Sequence, residues 1–212
     1  MPVSKDLSNH RRNYIKHELI EANVAANPFE QFAHWFEDAG KAEVLEPNAM
    51  ALATATKTGK PSARIVLLKS FSEKGMVFYT NYHSRKGHEL SENNQASLLF
   101  YWDVMERQIR IEGAIERVEI SLSDEYFSSR PYESQLSAVV SEQSTVVPSR
   151  QFLEEKLEGL RNSGVVKRPT NWGGYLLKPD YFEFWQGRAN RLHDRITYQH
   201  LNGLWNIKRL AP

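Results

Sequence analysis

The feature that most restricts the fold is a series of five short segments, rich in β-branched and aromatic residues, between residues 49 and 118. Turn signals separate the five, which are 49–56, 62–69, 76–80, 95–102 and 107–118. The connections at 57–60 and 72–75 each contain a glycine and are short enough for hairpins. Because hairpins join antiparallel strands, the pattern predicts an antiparallel sheet and argues against a doubly wound parallel one.

Helical signals lie before, between and after these segments. Asn27 can cap a helix that has Pro28 at its first position and Glu30 in its first turn. Its apolar face would consist of Phe29, Phe32, Ala33 and Phe36. Further helices are predicted at 84–92, from about Ser121, where Ser121 and Asp124 suit a cap, and around 149–161.

The C-terminal part returns to strand patterns at 174–185, 194–200 and 204–210. Asn202-Gly203 joins the last two and is a strong hairpin turn. The chain has no internal repeat, low-complexity tract or Pro/Gly-rich linker. We therefore expect an α+β fold, a barrel or sandwich, in a single domain that spans residues 1–212.

Composition excludes several classes of function. The net charge of +1, from 27 basic and 26 acidic residues, argues against sequence-independent binding of nucleic acid. The chain has no cysteine, so it has no disulfide, thiolate metal site or thiol nucleophile. Its seven histidines are scattered and lack the spacing of a metal site. Neither the G-x-G-x-x-G pattern of a Rossmann site nor the G-x-S-x-G of a nucleophile elbow occurs.

Targeting signals are missing as well. No stretch approaches the roughly 20 apolar residues that a membrane helix needs. The N-terminal residues have no apolar core typical of a signal peptide. We expect a soluble, cytoplasmic protein that binds no metal, no nucleic acid and no membrane.

The segment 185–195 is the most informative for chemistry. If residues 191–195 are extended, Arg191, His193 and Arg195 share one face, with neighbours about 7 Å apart. Such a group favours an anion or an acid between its members. It is also compatible with a solvated edge strand paired with acids such as Asp194. Neighbouring cations would lower the pKa of His193 and favour its neutral form.

Two further segments are rich in groups that bind phosphate. In 62–69, Arg64 and Lys69 bracket an apolar run, which fits either a buried strand with snorkelling ends or a phosphate site. Five residues apart, they would face opposite sides of a regular strand. In 79–87, a strand leads into a helix start beside Arg85 and Lys86, which fits either a basic cap or a phosphate site.

Segments 107–110 and 126–134 add basic and hydroxyl groups, and Tyr126 and Arg130 lie one helical turn apart. The chain thus has many phosphate-binding groups on a β framework but no obvious nucleophile. This pattern favours a phosphorylated cofactor that supplies the chemistry while the protein supplies binding and orientation.

At these segments the sequence resembles the pyridoxine (pyridoxamine) 5′-phosphate oxidase family, bacterial type, over nearly its whole length. The motifs that carry the resemblance are 64–69, 74–81, 84–86, 106–108, 126–127, 129–131, 141–144, 172–174, 183–187 and 191–195. The resemblance implies an FMN-binding split barrel, an antiparallel Greek-key barrel with flanking helices. It also implies a homodimer with both active sites at the subunit interface.

The implied activity is oxidation of pyridoxine 5′-phosphate or pyridoxamine 5′-phosphate to pyridoxal 5′-phosphate. A hydride passes from C4′ to flavin N5, and oxygen reoxidises the flavin with release of H2O2. The implied FMN-binding residues are Arg64, Ile65, Val66, Leu67, Leu68, Lys69, Tyr79, Thr80, Arg85, Lys86, Gln108, Gln143, Ser144, Trp185 and Arg195.

The resemblance also implies substrate contacts. Lys69, Tyr126, Arg130 and Ser134 would meet the substrate phosphate. Arg191 and His193, the implied catalytic residues, would lie against the substrate ring together with Leu192. Residues 1–20 would form a mobile lid, in which Arg11, Arg12, Asn13 and Tyr14 close over the substrate. Asn13 replaces the acid expected in that motif, and Arg188, Ala189 and Asn190 take no role.

Two alternatives stay open at this point. Another split-barrel flavoenzyme, such as an FMN-dependent reductase, would share the flavin contacts but would not need Arg191 with His193, or Tyr126 with Arg130. A non-catalytic protein that binds flavin or pyridoxal phosphate would produce no peroxide with pyridoxine 5′-phosphate.

Overall fold

A computed structural model describes Leu7, Asn9 and residues 12–161 and 166–212. The helices in this part of the chain are α1 (Pro28–Lys41), α2 (Arg85–Glu92), α3 (Ile120–Ser129), α4 (Tyr132–Val140) and α5 (Arg150–Arg161). The strands are β1 (Ala49–Ala55), β2 (Pro61–Leu67), β3 (Ser70–Ser72), β4 (Gly75–Asn81), β5 (Gln95–Trp102), β6 (Arg107–Arg117), β7 (Trp172–Gln186), β8 (Asp194–Leu201) and β9 (Leu204–Arg209). Of the helices described, none has the length and apolar character to cross a membrane.

The strands form one sheet in the order β2-β1-β5-β6-β7-β4-β3, and β8 pairs with both β7 and β9. The pairs β1–β2, β1–β5, β3–β4, β4–β7 and β8–β9 are all antiparallel. This confirms the predicted α+β class with an antiparallel sheet. The hairpin register follows the predicted turns: Ala55 lies opposite Pro61 across residues 56–60.

The turn between β8 and β9 has the backbone that its sequence predicts. Asn202 and Gly203 have φ values of 53° and 80°, both in the left-handed region. A two-residue type I′ hairpin turn requires positive φ at both positions, and asparagine followed by glycine tolerates this best.

The sequence missed β3 and α4. β3 has only three residues, too few for a period to be read. α4 follows α3 closely, and Leu136 is its one fully buried residue, so no strong apolar face marks it. The two were therefore indistinguishable from connecting loop.

Two predicted boundaries are wrong. α3 begins at Ile120 after Glu119, which makes no capping bond through its side chain. Ser121 therefore lies inside the helix and not at its cap. β2 ends at Leu67, two residues before the predicted end of that strand.

The chain folds into two compact units. The first consists of Met1–Pro47, Tyr101–Ile109 and Phe182–Pro212, and the second of Asn48–Phe100 and Arg110–Tyr181. The prediction of a single domain over residues 1–212 stays a prediction.

The core of the first unit forms between α1 and the second half of β7. The Asn27 side chain accepts the Phe29 amide at 2.9 Å, which confirms the predicted cap. Phe29 then packs edge-on against Phe182, and Trp35 against Phe184, each with ring centroids 5.2 Å apart. Edge-to-face packing suits the aromatic quadrupole, so these pairs fix α1 against the strand.

The core of the second unit comes from alternate residues of its strands. Along β1, Met50 and Leu52 are buried while their neighbours are half-buried, the period of two expected of a strand with one core face. Met76, Phe78, Leu98 and Phe100 complete this core with no more than 1% exposure each. β2 and the end of β4 also line the site.

Candidate functional site

A cavity of about 960 Å³ lies in the second unit. Its walls come from β2, β4, the start of α2, α3, α4 and residues 141–144. The predicted site residues that line it are Arg64, Ile65, Val66, Leu67, Lys69, Tyr79, Thr80, Arg85, Lys86, Tyr126, Arg130, Ser134, Gln143 and Ser144. Motifs that are far apart in the sequence are thus brought to one surface.

Arg64 and Lys69 reach the same cavity although they are five residues apart. Because β2 ends at Leu67, the alternation of a regular strand stops there. Leu68 turns into the core, where it is 4% exposed, and Lys69 follows with its amide bonded to the carbonyl of Val77 at 2.8 Å. Neither a bulge nor a second subunit is needed to direct both cations to this cavity.

β2 itself is not a buried strand. It lies at one end of the sheet order, and Ile65 is 67% exposed. Arg64 is held by its neighbours: its guanidinium donates to the Leu52 carbonyl at 3.2 Å and to the Thr54 hydroxyl at 2.6 Å. Of the two interpretations of segment 62–69, the buried strand is wrong.

Lys86 is the most buried cation of the cavity, with 8% exposure. It sits in the first turn of α2, which Ser84 caps through its hydroxyl. Its ammonium donates to Gln143 Oε1 at 2.7 Å, Thr80 Oγ1 at 3.0 Å and Ser84 Oγ at 3.3 Å. Burial, and after it the nearby charge of Arg64, lowers the pKa of Lys86 to about 8.

A carboxylate lies among these cations. Glu89 of α2 is 4% exposed and accepts the hydroxyl groups of Thr54 and Ser62, each at 2.5 Å. It also pairs with Arg64 at 3.3 Å and with Arg85 at 2.9 Å. We call Arg64, Arg85 and Lys86 the cation cradle.

The bonds to Glu89 set its ionisation. Burial alone would raise the pKa of Glu89, but hydrogen bonds from Ser62, Thr54, Arg85 and Arg64 outweigh it and lower the pKa to about 2. Glu89 is therefore charged at neutral pH.

Three aromatic rings stack beside the cradle. The ring of Tyr79 lies 4.0 Å from that of Tyr126 and 5.6 Å from that of Trp172, with planes within 24° of parallel. Tyr79 lies opposite Gly174 in the β4–β7 register. A Cβ atom at Gly174 would come within 2.8 Å of the Tyr79 ring, so only glycine leaves room for it.

Arg130 carries an unsatisfied donor in this cavity. Its guanidinium lies 4.8 Å from the Trp172 ring, a cation–π distance. Its Nη1 atom is buried and, among the described residues, has no hydrogen-bond partner. Native proteins rarely leave such a donor unpaired, which makes Arg130 a candidate for binding an anionic group.

Trp172, Asn81 and Ser141 line the cavity but were not predicted as site residues. The Asn81 amide donates to the Ser141 carbonyl at 3.2 Å and so ties β4 to the segment that carries Gln143. All three belong to motifs that carried the family resemblance, which is the signal that could have identified them.

A second group of predicted residues lies in the first unit. The Trp185 and His193 rings are 4.7 Å apart, and Tyr14 packs edge-on at 5.7 Å from each. The His193 Nδ1 atom accepts the backbone amide of Arg188 at 3.1 Å, which requires that nitrogen to be unprotonated. Burial, then Arg191, lowers the pKa of His193, against an opposing effect of Asp194. The predicted direction of this shift is confirmed.

The backbone of Arg191 contradicts the extended conformation predicted for residues 191–195. Residues 189–191 form a 3-10 turn, and Asn190 and Arg191 have φ values of 56° and 62°. β8 begins only at Asp194, so Arg191 and His193 do not share a strand face with Arg195. A non-glycine residue in the left-handed region is uncommon and costs of order 1 kcal/mol, so sequence periodicity does not reveal it.

Salt bridges surround this group. Arg195 pairs with the buried Glu183 at 2.7 Å. Asp194 pairs with Arg209 at 2.7 Å and with Arg188 at 3.4 Å. The interpretation of the segment as charges paired with acids therefore holds for Arg195.

The described part of the predicted lid is bound to the first unit. Glu106, whose side chain is 2% exposed, accepts the amides of Ile15 at 2.9 Å and Lys16 at 3.2 Å. Its other oxygen lies 3.6 Å from Arg12. Farther along, the Leu19 amide bonds to Asp194 at 3.1 Å. We call residues 12–21 the N-terminal segment.

The remaining predicted site residues do not form a group. Arg11 lies outside the described residues. Asn13 is exposed, and Leu192 is 69% exposed. Gln108 is half-buried on β6 in the first unit. In the described ranges, no three His, Cys, Asp or Glu side chains form a group that could hold a metal ion.

Comparisons with known proteins agree with one another. Residues 36–164 match the family described as Pyridoxamine 5′-phosphate oxidase, and residues 172–212 match the Pyridoxine 5′-phosphate oxidase C-terminal dimerisation region. Together these matches cover most of the chain.

Curated relatives extend the match to full length. The chain is 51% identical to a pyridoxine/pyridoxamine 5′-phosphate oxidase of Gloeothece citriformis, over 99% of this chain and 100% of the relative. It is 52% identical to the chloroplastic enzyme 1 of Arabidopsis thaliana, over 100% of this chain but 41% of that longer relative.

Solved structures show the same fold. PhzG from Burkholderia lata, in complex with tetrahydrophenazine-1-carboxylic acid, superposes with a TM-score of 0.87 at 34% identity, over 92% of this chain and 98% of that one. A pyridoxamine 5′-phosphate oxidase-related, FMN-binding protein of Nostoc punctiforme has a TM-score of 0.70 at 16% identity, over 89% and 98%. At that identity the second likeness shows the fold alone.

Proposed function

The chain belongs to the pyridoxamine 5′-phosphate oxidase family, and we propose that it is an FMN-dependent oxidase that forms pyridoxal 5′-phosphate from pyridoxine 5′-phosphate or pyridoxamine 5′-phosphate. The observation that carries the proposal is a cavity with two cationic groups on different elements. The cation cradle lies on β2 and α2, and Arg130 follows α3 with Tyr126 and Ser134 nearby in sequence. Two phosphate-bearing molecules, a cofactor and a substrate, require two such groups.

The cradle suits the FMN phosphate. Lys86 supplies a buried ammonium, and Arg64 and Arg85 supply planar forks that match phosphate oxygens. Thr80 and Gln143 hold the ammonium in place, and Ser144, which has a φ of 75°, follows Gln143 on the cavity wall.

Arg130 suits the phosphate of the substrate. Its buried Nη1 atom has no partner in the described residues, and a phosphate oxygen would satisfy it. Tyr126 and Ser134 add hydroxyl groups to the same cavity, and Lys69 lines it as well. A substrate without phosphate would leave this donor unpaired.

When bound, FMN would supply two-electron oxidation: a hydride would leave C4′ of the substrate for flavin N5, and oxygen would take up the two electrons to give H2O2. With the amine substrate, water would then replace the nitrogen, which leaves as ammonia. The chain's own residues bind and orient. Arg191 and His193 would contact the substrate ring, with His193 neutral at pH 7 because its pKa is lowered. Tyr14 packs against His193 and would close over the ring as part of the predicted lid.

The C-terminal match to a dimerisation region indicates a homodimer. We further propose that both subunits contribute to each active site, that the chain is one split-barrel domain, and that it acts in the cytoplasm. Size-exclusion chromatography with light scattering would measure the oligomeric state, and a monomer that is fully active would contradict the shared site.

The direct test is an assay of the purified protein in air. We expect the absorption spectrum of bound flavin, formation of pyridoxal 5′-phosphate from either substrate, and one H2O2 released per product. Unphosphorylated pyridoxine is the matched control and should react far more slowly. Flavin binding without product or peroxide would contradict the oxidase and support a non-catalytic binding protein.

A second candidate follows from the likeness to PhzG, which was solved with a tricyclic carboxylic acid. The same assay with tetrahydrophenazine-1-carboxylic acid distinguishes the two. The unpaired donor of Arg130 would accept a carboxylate as well as a phosphate. What favours the phosphorylated substrate is the 51% identity to a pyridoxine/pyridoxamine 5′-phosphate oxidase, against 34% to PhzG. A higher kcat/KM for the tricyclic acid would reverse this assignment.

A further inference from the structure

We propose that Glu89 is a positioning residue of the cation cradle, which fixes the guanidinium groups of Arg64 and Arg85 in the orientation that binds the phosphate of FMN. The inference rests on the proposed function, because it takes FMN as the ligand of the cradle. Glu89 lies outside the motifs that carry the family resemblance and was not predicted as a site residue.

Glu89 connects α2 to the paired strands β1 and β2. Its Oε2 atom accepts from Thr54 on β1 and from Ser62 and Arg64 on β2, while Oε1 accepts from Arg85 on α2. The two arginines are brought to one carboxylate from different parts of the chain. Their relative position thus depends on a group that does not itself line the cavity.

The hydrogen bonds around Glu89 have a defined direction. Thr54 and Ser62 each have one hydroxyl proton, and both protons point to Glu89. Their lone pairs are therefore free to accept from the guanidinium of Arg64, as they do. A carboxylate, which only accepts, orients the whole set, whereas an amide at the same place would add two donors.

Charge alone predicts the opposite effect. Three cations and one carboxylate leave a charge of +2, which matches a phosphate that carries about −2 at neutral pH. Removing the carboxylate would raise the positive charge of the cradle and, by Coulomb attraction alone, tighten the binding of phosphate. If positioning matters more, the loss of Glu89 weakens binding, so the sign of the effect separates the two explanations.

The test compares FMN with riboflavin, which has the same ring system without the phosphate. Flavin is removed from the full-length protein, and each flavin is titrated by fluorescence quenching. For Glu89→Gln we expect the Kd for FMN to rise about tenfold, the size typical of a lost charge-assisted hydrogen bond. The Kd for riboflavin should change less than about twofold.

Glu92→Gln is the matched control, since Glu92 lies on the same helix, is exposed and undergoes the same change of charge. Its FMN affinity should stay the same or increase slightly. Ser62→Ala is a second, milder variant that keeps both charges and removes one bond between Arg64 and Glu89. We expect this variant to raise the Kd for FMN about threefold and to leave the Kd for riboflavin unchanged.

Three results would overturn the inference: tighter or unchanged FMN binding by Glu89→Gln, equal weakening of FMN and riboflavin, or, if that variant does not fold, unchanged FMN binding by Ser62→Ala. Failure of the wild-type protein to bind FMN would overturn the proposed function as well. Tight wild-type binding with unaffected variants would overturn the inference alone.

Discussion

The cavity of the second unit and the aromatic group of the first unit are held in different ways. In the cavity, the cations are fixed by Glu89 and Thr80, which are buried, and by Gln143, and all three come from the same unit. In the first unit, the N-terminal segment is attached both by the buried carboxylate of Glu106 and by exposed pairs. Arg209 and Glu21, for example, pair at 2.7 Å with side chains 37% and 53% exposed.

The way each region is held determines whether it stays fixed or can move. Buried, hydrogen-bonded charges are costly to disturb and keep their geometry before a ligand arrives. Exposed pairs each contribute about 0–1 kcal/mol, so a segment that they hold can be released and bound again. We infer that the cation cradle keeps FMN bound between turnovers, whereas Arg130 in the cavity and the proposed ring contacts in the first unit serve a substrate that enters and leaves.

The largest effect should come from Arg191, which we assign to the substrate and not to FMN. For Arg191→Ala we expect kcat to fall about 100-fold or more, because misplacement of the substrate ring by 1 Å can cost that much. FMN content, measured by absorbance, should be unchanged. Loss of FMN together with activity would show that Arg191 also serves the cofactor.

Arg130→Ala should have the next largest effect, and only on the substrate. Removing a charged donor from a phosphate costs about 1.5–3 kcal/mol, which corresponds to roughly 10- to 100-fold in KM. Steady-state kinetics would measure this, with FMN titration as the control. A variant with normal KM but weak FMN binding would assign Arg130 to the cofactor.

FMN binding should weaken at alkaline pH because Lys86 has a pKa of about 8. Its ammonium is present below this pH and lost above it, so the Kd should rise about tenfold between pH 7 and pH 9. Lys86→Arg keeps its charge over this range and should remove the dependence. A wild-type Kd that is constant to pH 9 would show that the ammonium does not contribute.

The smallest effect should come from Glu106, which anchors the N-terminal segment. For Glu106→Gln we expect KM to rise about two- to fivefold, since a charged acceptor becomes a neutral one. Trypsin should cleave faster after Lys16, while FMN affinity stays constant. Glu18→Gln is the matched control. Glu18 is 60% exposed, and its pair with Arg188, at 3.6 Å, is a weak surface contact. Equal trypsin sensitivity of both variants would contradict the role of Glu106 as the anchor of this segment.

The sequence predicted the cavity better than the first-unit group, for a physical reason. Residues 64–67 lie on β2, 79–81 on β4 and 85–86 at the start of α2, which are short elements whose strand period and helix cap can be read directly. The stack of Tyr79 on Trp172 could not be read, because it depends on the register between β4 and β7, almost a hundred residues apart.

Arg191 shows the other limit. Its strand assignment failed because a left-handed residue other than glycine leaves no mark in the sequence. β3 and α4 failed because both are too short or too weakly amphipathic to show a period. The network around Glu89 became visible only in three dimensions, since a glutamate on a short polar helix is usually a surface residue.

The core methionines have a consequence for the proposed reaction, which would release H2O2 at the active site. Thiols and exposed thioethers are the side chains that peroxide damages first. This chain has no cysteine, and Met50, Met76 and Met105 are exposed by only 1%, 0% and 5%. The same packing that excludes water from the core therefore protects its sulfur atoms from oxidative damage over many turnovers.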